Sequence, residues 1–225
     1  MVLAEKDLAW TDRTIEFEKG DHISDWYLKL NPNGVVPTLV HDGQVITDSS
    51  VINEYLEDVF PDPPLRPTNH VEVALMRTWR QYIDEVPTEA IRYPSFNAHF
   101  VRLTSSMSER EFAEYSSRLP LRKHFYRRMG RTGFPKSEVD AALDRLRQTV
   151  ERMDSALQKT QWLAHDAFTL ADVSIMPTVV RMEDLGLSHI WADLSRVSDW
   201  YARLRQRPAF TKTYSPSSRT LAAAC

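Results

Sequence analysis

Residues 31–59 have the sequence NPNGVVPTLVHDGQVITDSSVINEYLEDV, which predicts two short strands followed by a helix. Asp42-Gly43 separates the apolar runs 37–40 and 44–47, and an Asp-Gly pair in this setting is a strong signal for a β-hairpin. Residues 48–59 then place apolar side chains at helical spacing, behind polar residues that are typical N-caps. This segment is therefore predicted to be an α+β unit.

The residues before this segment extend the α+β pattern toward the N-terminus. Residues 1–6 begin with an apolar run that lacks an N-cap, which predicts the end of a helix. Residues 14–17 alternate apolar and polar side chains as a strand does, and residues 23–30 predict a short helix. The first sixty residues therefore predict the order helix, strand, helix, strand, strand, helix.

A proline-rich stretch divides the chain. Residues 61–67, PDPPLRP, cannot continue a helix or a central strand, and most of the sequence beyond them has helical periodicity. The sequence therefore predicts an N-terminal domain over residues 1–62, a linker over 63–68, an all-helical domain over 69–210 and a flexible tail over 211–225.

The composition excludes several classes of function. The chain of 225 residues has 28 Lys and Arg against 31 Asp and Glu, which gives no reason to expect nucleic acid or an anionic membrane as partner. Apolar runs are far shorter than the roughly 20 residues that cross a bilayer. Cys225 is the only cysteine, so an internal disulfide, a zinc cluster and the chemistry of a disulfide reductase are excluded. The histidines lack ligand spacing, so no metal is expected, and the natural compartment is a reducing cytoplasm.

Two short segments predict a binding site for a small peptide. Pro37 opens a strand in a tight turn, where a cis bond is favoured, and the turn leaves the backbone of Val36 free to pair with an extended peptide. Asp48 and Ser49 begin a helix, whose free N–H groups suit a carboxylate, while the Asp48 side chain suits an ammonium. The predicted ligand carries an amine and a carboxylate at one end.

Structural roles explain some of these residues equally well. Asp48 and Ser49 are also ordinary helix caps, so at this point both interpretations stay open. Thr169 and Asp172 predict only a capping box at the start of a buried helix, with Phe168 and Val173 as its hydrophobic staple.

Two other groups of side chains are assigned no site. The aromatic residues around Trp79 and Tyr82 predict core packing. The basic residues between 118 and 131 predict a solvated helix face, because the chain as a whole is nearly neutral. These basic residues are Arg118, Arg122, Lys123, Arg127, Arg128 and Arg131.

Three ordered motifs resemble the cytosolic glutathione transferases. VPTL at 36–39 with TDSSVI at 47–52 resembles the glutathione-binding half of that family. FTLAD at 168–172 with Pro177 resembles the signature of its helical domain, and WYARL at 200–204 with RPAF at 207–210 resembles its last helix. The resemblance spans residues 1–210. SDW at 24–26, NPNG at 31–34, EDVFP at 57–61 and GFP at 133–135 are similar to the bacterial glutathione-dependent β-aryl-etherases.

The resemblance implies roles for individual residues toward glutathione. Asp48 and Ser49 match the pair that holds the γ-glutamyl group, and Asp84 matches a residue that helps to bind its amine. Val36 matches the residue whose backbone pairs with the cysteinyl unit, ahead of a cis-proline that matches Pro37. The chain has Val35 where the family often has Lys or Gln for the glycine carboxylate, and Lys29 or Asn33 are the substitutes left open.

The resemblance also implies a fold and a reaction. It implies a thioredoxin-like N-terminal domain joined to an all-helical domain, a homodimer, and attack of the glutathione thiolate on a hydrophobic electrophile in the cleft between the domains. The first strand, which carries the thiol-activating group in this family, has no counterpart here, so the N-terminal domain is expected to be truncated and that group to lie upstream of Met1. The alternative is a non-catalytic binding module of the same fold.

Overall fold

The computed structural model describes residues 1–214. It contains one β-hairpin and thirteen α-helices, with three short 3₁₀ turns at Phe17–Lys19, Asp21–Ile23 and Ser188–Trp191. In chain order the elements are α1 (Val2–Glu5), α2 (Asp25–Leu30), β1 (Thr38–His41), β2 (Gln44–Thr47), α3 (Ser49–Val59), α4 (His70–Glu85), α5 (Pro87–Ala90), α6 (Arg92–His99), α7 (Val101–Ser105), α8 (Glu109–Ser117), α9 (Lys123–Met129), α10 (Lys136–Leu157), α11 (Leu170–Asp184), α12 (Ser195–Arg205) and α13 (Pro208–Thr213).

The predicted hairpin is confirmed. β1 and β2 are antiparallel, with Thr38 opposite Thr47 and His41 opposite Gln44. Asp42 and Gly43 form the two-residue connection and both have positive φ, 49° and 75°. Such a turn matches the right-handed twist of the two strands, which is why Asp-Gly is favoured there.

The strand predicted over residues 14–17 is wrong. This segment has no regular structure up to Glu16, and Phe17–Lys19 forms a 3₁₀ turn. A strand needs a neighbour for its N–H and C=O groups, and within residues 1–214 the only strand pairing is that of β1 with β2. Alternating side chains alone therefore do not produce a strand here.

A buried ion pair joins α1, α3 and the proline linker. Lys6 Nζ lies 2.7 Å from Glu57 Oε2, and the two side chains are 0% and 2% exposed. Lys6 Nζ also donates to the Pro63 carbonyl at 2.9 Å, while Glu57 Oε1 accepts from the Leu65 N–H at 3.0 Å. The pair therefore satisfies backbone groups that the linker leaves without a helix or strand partner.

The helical part of the chain is organised around α11. Most of its side chains are buried, and it packs against α3, α4 and α5, while α10 packs against α5, α6 and α12. The predicted capping box of Thr169 and Asp172 is confirmed at its start. Trp79 is buried on α4 and Tyr82 packs edge-on against it, so both belong to the core as predicted.

The C-terminal end of the described chain is helical. α13 includes residues 211–213, which are the first residues of the segment predicted as a tail. Residues 215–225, including Cys225, lie outside the part of the chain that the structure describes. Among the described helices, none is both long and apolar enough to cross a membrane. Residues 1–214 also bring together no cluster of side chains that could hold a metal ion.

Candidate functional site

The register of the hairpin brings the two predicted binding segments together. Thr38 at the start of β1 is paired with Thr47 at the end of β2. Pro37 directly precedes Thr38, and Asp48 directly follows Thr47, so both lie at the same end of the sheet. Residues that are eleven positions apart in the sequence therefore share one small surface.

The turn before β1 is held by buried side chains. The Val36–Pro37 peptide bond is cis, as the sequence predicted. The Tyr27 hydroxyl and the Asn31 side-chain amide both donate to the Val35 carbonyl, at 2.6 and 2.7 Å. Tyr27 and Asn31 are buried, whereas Val36 is 44% exposed. The backbone of Val36 is thus presented to solvent on a rigid support, an arrangement that suits an extended peptide pairing with it.

Asp48 occupies a conformation that is uncommon for a residue with a side chain. Its φ of 73° is positive, and its Oδ1 accepts from the N–H groups of Ser50 at 2.9 Å and Val51 at 3.4 Å. Asp48 is therefore the N-cap of α3. Its second oxygen, Oδ2, makes no hydrogen bond within residues 1–214 and belongs to an exposed residue. The cap uses one carboxylate oxygen and leaves the other for a ligand.

Ser49 offers a backbone donor beside that carboxylate. The first intrahelical bond of α3 runs from the Ile52 N–H to the Asp48 carbonyl at 2.8 Å, so the N–H groups of residues 49–51 precede the helical ladder. Asp48 accepts two of them, and that of Ser49 has no acceptor within residues 1–214. Ser49 itself is exposed.

Asp84 lies close to this helix start, although it is 36 positions away from Asp48. The Ser50 hydroxyl donates to Asp84 Oδ2 at 2.5 Å across the contact between α3 and α4. Two carboxylates, Asp48 and Asp84, therefore flank Ser50. Two acidic groups at one exposed helix start are suited to an ammonium ion.

Arg80 is a component of this surface that the sequence did not identify. Its guanidinium donates to the Ser50 carbonyl and to Glu54, and its side chain is only 7% exposed. Burial lowers the pKa of Arg80, and the Glu54 carboxylate opposes that shift. Arg80 and Asp84 lie one helical turn apart on α4, and this spacing was the available signal that both face α3.

A cavity of about 170 Å³ opens beside Val36, between the N-terminal segment and the helices. Its aromatic walls come from Phe17, Phe96, Phe100 and Tyr126. Asn33 lines it, whereas Lys29 is exposed and is not part of the lining. Arg92 and Arg122 also line it. The prediction of a solvated face is wrong for Arg122, because it is half-buried and points into this cleft.

A second cavity, of about 900 Å³, runs along the edge of β1 that β2 does not cover. In an antiparallel pair with this register, alternate residues of β1 direct their N–H and C=O groups away from β2. The lining is mainly apolar, and it includes Leu8, Trp10, Ile15, Trp26 and Leu39.

Family comparisons match both halves of the chain. A model described as glutathione S-transferase, N-terminal domain, matches residues 1–59, and one described as glutathione S-transferase, C-terminal domain, matches residues 136–203.

Individual relatives cover nearly the whole chain. Protein LigF of Sphingobium sp. is 31% identical over 96% of this chain and 88% of its own length. The crystal structure of β-etherase LigF from the same organism superposes with a TM-score of 0.83 over 94% of this chain and 90% of that one. Glutathione S-transferase A of Pleuronectes platessa is 26% identical over 96% of this chain and 85% of its own length. A stringent starvation protein A homologue of Haemophilus ducreyi is 28% identical, with coverage of 97% and 84%.

Proposed function

Because this chain is an enzyme of the glutathione S-transferase family, we propose that it binds glutathione at the end of the hairpin and transfers it to an apolar electrophile. The observation that carries the glutathione site is the register of Thr38 with Thr47, which puts cis-Pro37 beside the start of α3. Nothing in residues 1–214 or in the comparisons favours a non-catalytic module.

The γ-glutamyl end of glutathione is proposed to bind at the start of α3. The free oxygen of Asp48 and the carboxylate of Asp84 take the ammonium, and the Ser49 N–H takes the carboxylate. The ammonium then faces two negative carboxylates. The carboxylate of the ligand faces the start of α3, which is the positive end of the helix dipole. The domain proposed over residues 1–62 supplies all of these groups except Asp84 on α4.

The cysteinyl unit is proposed to pair with the backbone of Val36. Buried Tyr27 and Asn31 hold the preceding carbonyl, so little ordering is needed when the peptide binds. The adjacent cleft, with its aromatic walls, accepts the electrophile.

The reaction is a nucleophilic displacement by the glutathione thiolate. A C–S bond forms at the electrophilic carbon, and the bond to the leaving group breaks, so the leaving group departs with the electron pair. For an ether, the bond type that the name of β-etherase LigF indicates for that protein, the leaving group is an alkoxide or, from an aryl ether, a phenolate. No residue of this chain is assigned as the group that activates the thiol.

A double variant tests the site without removing the helix cap. Asn is a good N-cap and tolerates positive φ, so Asp48→Asn keeps both features while it removes the charge. Each charge-assisted hydrogen bond contributes about 1.5–3 kcal/mol, so we expect Asp48→Asn with Asp84→Asn, which removes both carboxylates assigned to the ammonium, to weaken glutathione binding at least about tenfold in isothermal titration calorimetry.

The matched control changes the other end of the same hairpin. Asp42 is also an aspartate with positive φ, but it lies in the turn away from Pro37. Asp42→Asn should leave glutathione affinity within about twofold of the parent, since a substitution remote from a site rarely alters it. Unchanged affinity in the Asp48/Asp84 variant would remove the site assignment, and absence of binding by the parent would remove the proposed function itself.

We also propose that the protein is a cytoplasmic homodimer, with α3 and α4 at the interface. Val51 on α3 and Val71 and Leu75 on α4 are 54%, 69% and 52% exposed, and a group of exposed apolar side chains marks an interaction surface. Light scattering is expected to give twice the chain mass of 26.1 kDa. Leu75→Glu should shift the population toward monomer, and a monomeric parent would contradict the proposal.

A further inference from the structure

Two arginines that form no ion pair within residues 1–214 line the cleft beside Val36. Arg92 begins α6 and Arg122 is the N-cap of α9, so they come from different helices and converge on the same cavity. Both are half-buried. Within residues 1–214, neither guanidinium makes an ion pair or a side-chain hydrogen bond.

Other arginines of residues 1–214 that are withdrawn from solvent have oxygen acceptors within the chain. Arg147 pairs with Asp193 and Glu151, and Arg207 makes a bidentate contact with Glu5 at 2.6 and 2.8 Å. Arg80, which is more deeply buried, pairs with Glu54. Withdrawing a cation from water without a partner is costly, so natural proteins pair such groups or place them where a ligand supplies the counter-charge.

The electrostatic surroundings of Arg92 and Arg122 favour an incoming anion. Burial, followed by the charge of Arg122, lowers the pKa of Arg92 to about 10, and burial lowers the pKa of Arg122 as well. Glu89 and Asp84 oppose this shift, but each affects the pKa of Arg92 less than burial and the charge of Arg122 do. At neutral pH both arginines are charged and repel each other.

The cavity between them has the size and lining of an aromatic ring site. Its volume is about 170 Å³. An apolar protein cavity of roughly 150 Å³ accepts benzene, so one substituted ring fits. Phe17, Phe96, Phe100 and Tyr126 supply the apolar walls, and the two guanidinium groups lie among them.

We propose that Arg92 and Arg122 form a carboxylate subsite in this cleft, and that the second substrate is an aromatic compound bearing an acidic group. This assignment of the substrate class rests on the transferase reaction proposed above, in which the cleft receives the electrophile. A planar guanidinium matches a carboxylate in two-point geometry, and two of them neutralise the charge while the ring packs against the aromatic walls. The carboxylate could instead be the glycine end of glutathione, and the experiment separates the two sources.

Calorimetry with a matched ligand pair tests the subsite without any turnover. Benzoate and benzamide have nearly the same shape, but only benzoate is charged. The parent protein is expected to bind benzoate at least about tenfold more tightly than benzamide, since hydrogen bonds to a charged group are the stronger ones. Equal affinities on the parent protein would overturn the proposal, whatever the variants do.

Variants then assign the effect to the two arginines. Arg92→Gln with Arg122→Gln should abolish the preference for benzoate, and the two Lys substitutions should restore part of it. The control is Arg110→Gln with Arg127→Gln, which removes the same charge from exposed positions that do not line the cavity. If the Arg110/Arg127 variant loses the preference for benzoate equally, that preference comes from long-range charge, and the assignment of the subsite to Arg92 and Arg122 is wrong.

Titration of glutathione into the same variants identifies the source of the carboxylate. Unchanged glutathione affinity together with lost benzoate preference supports an acidic second substrate. Lost glutathione affinity with benzoate preference intact assigns the arginines to the glycine carboxylate and overturns the proposal. A parent that binds benzoate selectively but not glutathione contradicts the proposed transferase function while leaving the anion subsite in place.

Discussion

Lys6→Met is expected to lower the free energy of unfolding by about 3–5 kcal/mol, because it leaves the Glu57 carboxylate buried without its cation. The two side chains are 0% and 2% exposed and their charged atoms are 2.7 Å apart, so little water can replace the lysine. Met fills a similar volume, and the loss therefore reports the uncompensated charge rather than a cavity. Urea denaturation followed by circular dichroism measures the change.

Two further variants distinguish this effect from a general response to lost lysine. Replacing both partners, Lys6→Met with Glu57→Gln, should recover much of the loss, since the neutral amide needs no cation and its oxygen can still accept from the Leu65 N–H. Lys19→Met removes an exposed lysine that contacts Glu16 at 2.8 Å, and such a surface pair contributes little to stability because water screens it. A Lys6→Met protein as stable as the Lys19→Met protein would contradict the interpretation.

Asp172→Ala is expected to cost at least about 3 kcal/mol of unfolding free energy, because several buried donors lose their acceptor at once. Asp172 is fully buried and accepts from the Leu163 N–H at 3.1 Å, the Thr169 N–H at 3.0 Å and the Trp200 indole N–H at 2.9 Å. Burial raises the pKa of Asp172, while these hydrogen bonds lower it. The carboxylate therefore joins the start of α11 to α12. Its hydrogen-bond donors offset the desolvation cost of burying the charge.

Asp172→Asn separates the hydrogen bonds from the charge. The amide keeps one acceptor oxygen and carries no charge to desolvate, so its loss of stability should be smaller than that of the Ala variant. Asp166→Ala is the exposed control, since Asp166 accepts a single bond from the Gln161 N–H at 3.1 Å, and it should cost less than about 1 kcal/mol. An Asp172→Ala protein within that range would show that α11 does not depend on this cap.

The proposed glutathione site was accessible to sequence analysis because the features that define it are local. Pro37 at a strand start, Asp42-Gly43 in the turn and Asp48 ahead of a helix each obey a rule that spans a few residues. A local rule gave the wrong result for residues 14–17. Their alternating side chains predicted a strand, but no neighbouring strand pairs with this segment within residues 1–214. The composition of the basic stretch predicted a solvated position for Arg122, whereas this residue lines the cleft.

Local sequence rules predict the hairpin, the caps of α3 and α11, and the order of the elements around the proline linker, apart from the strand at 14–17. Each of these depends on dihedral preferences and hydrogen bonds between residues within a few positions of one another. The contact of Lys6 with Glu57, the contact of Asp84 with Ser50 and the convergence of Arg92 and Arg122 are visible only in the folded chain. Those contacts join residues that are 30 to 51 positions apart, where composition and periodicity contain no information about distance. Burial then sets their energetics, because a charge removed from water interacts strongly with whatever the fold has placed beside it.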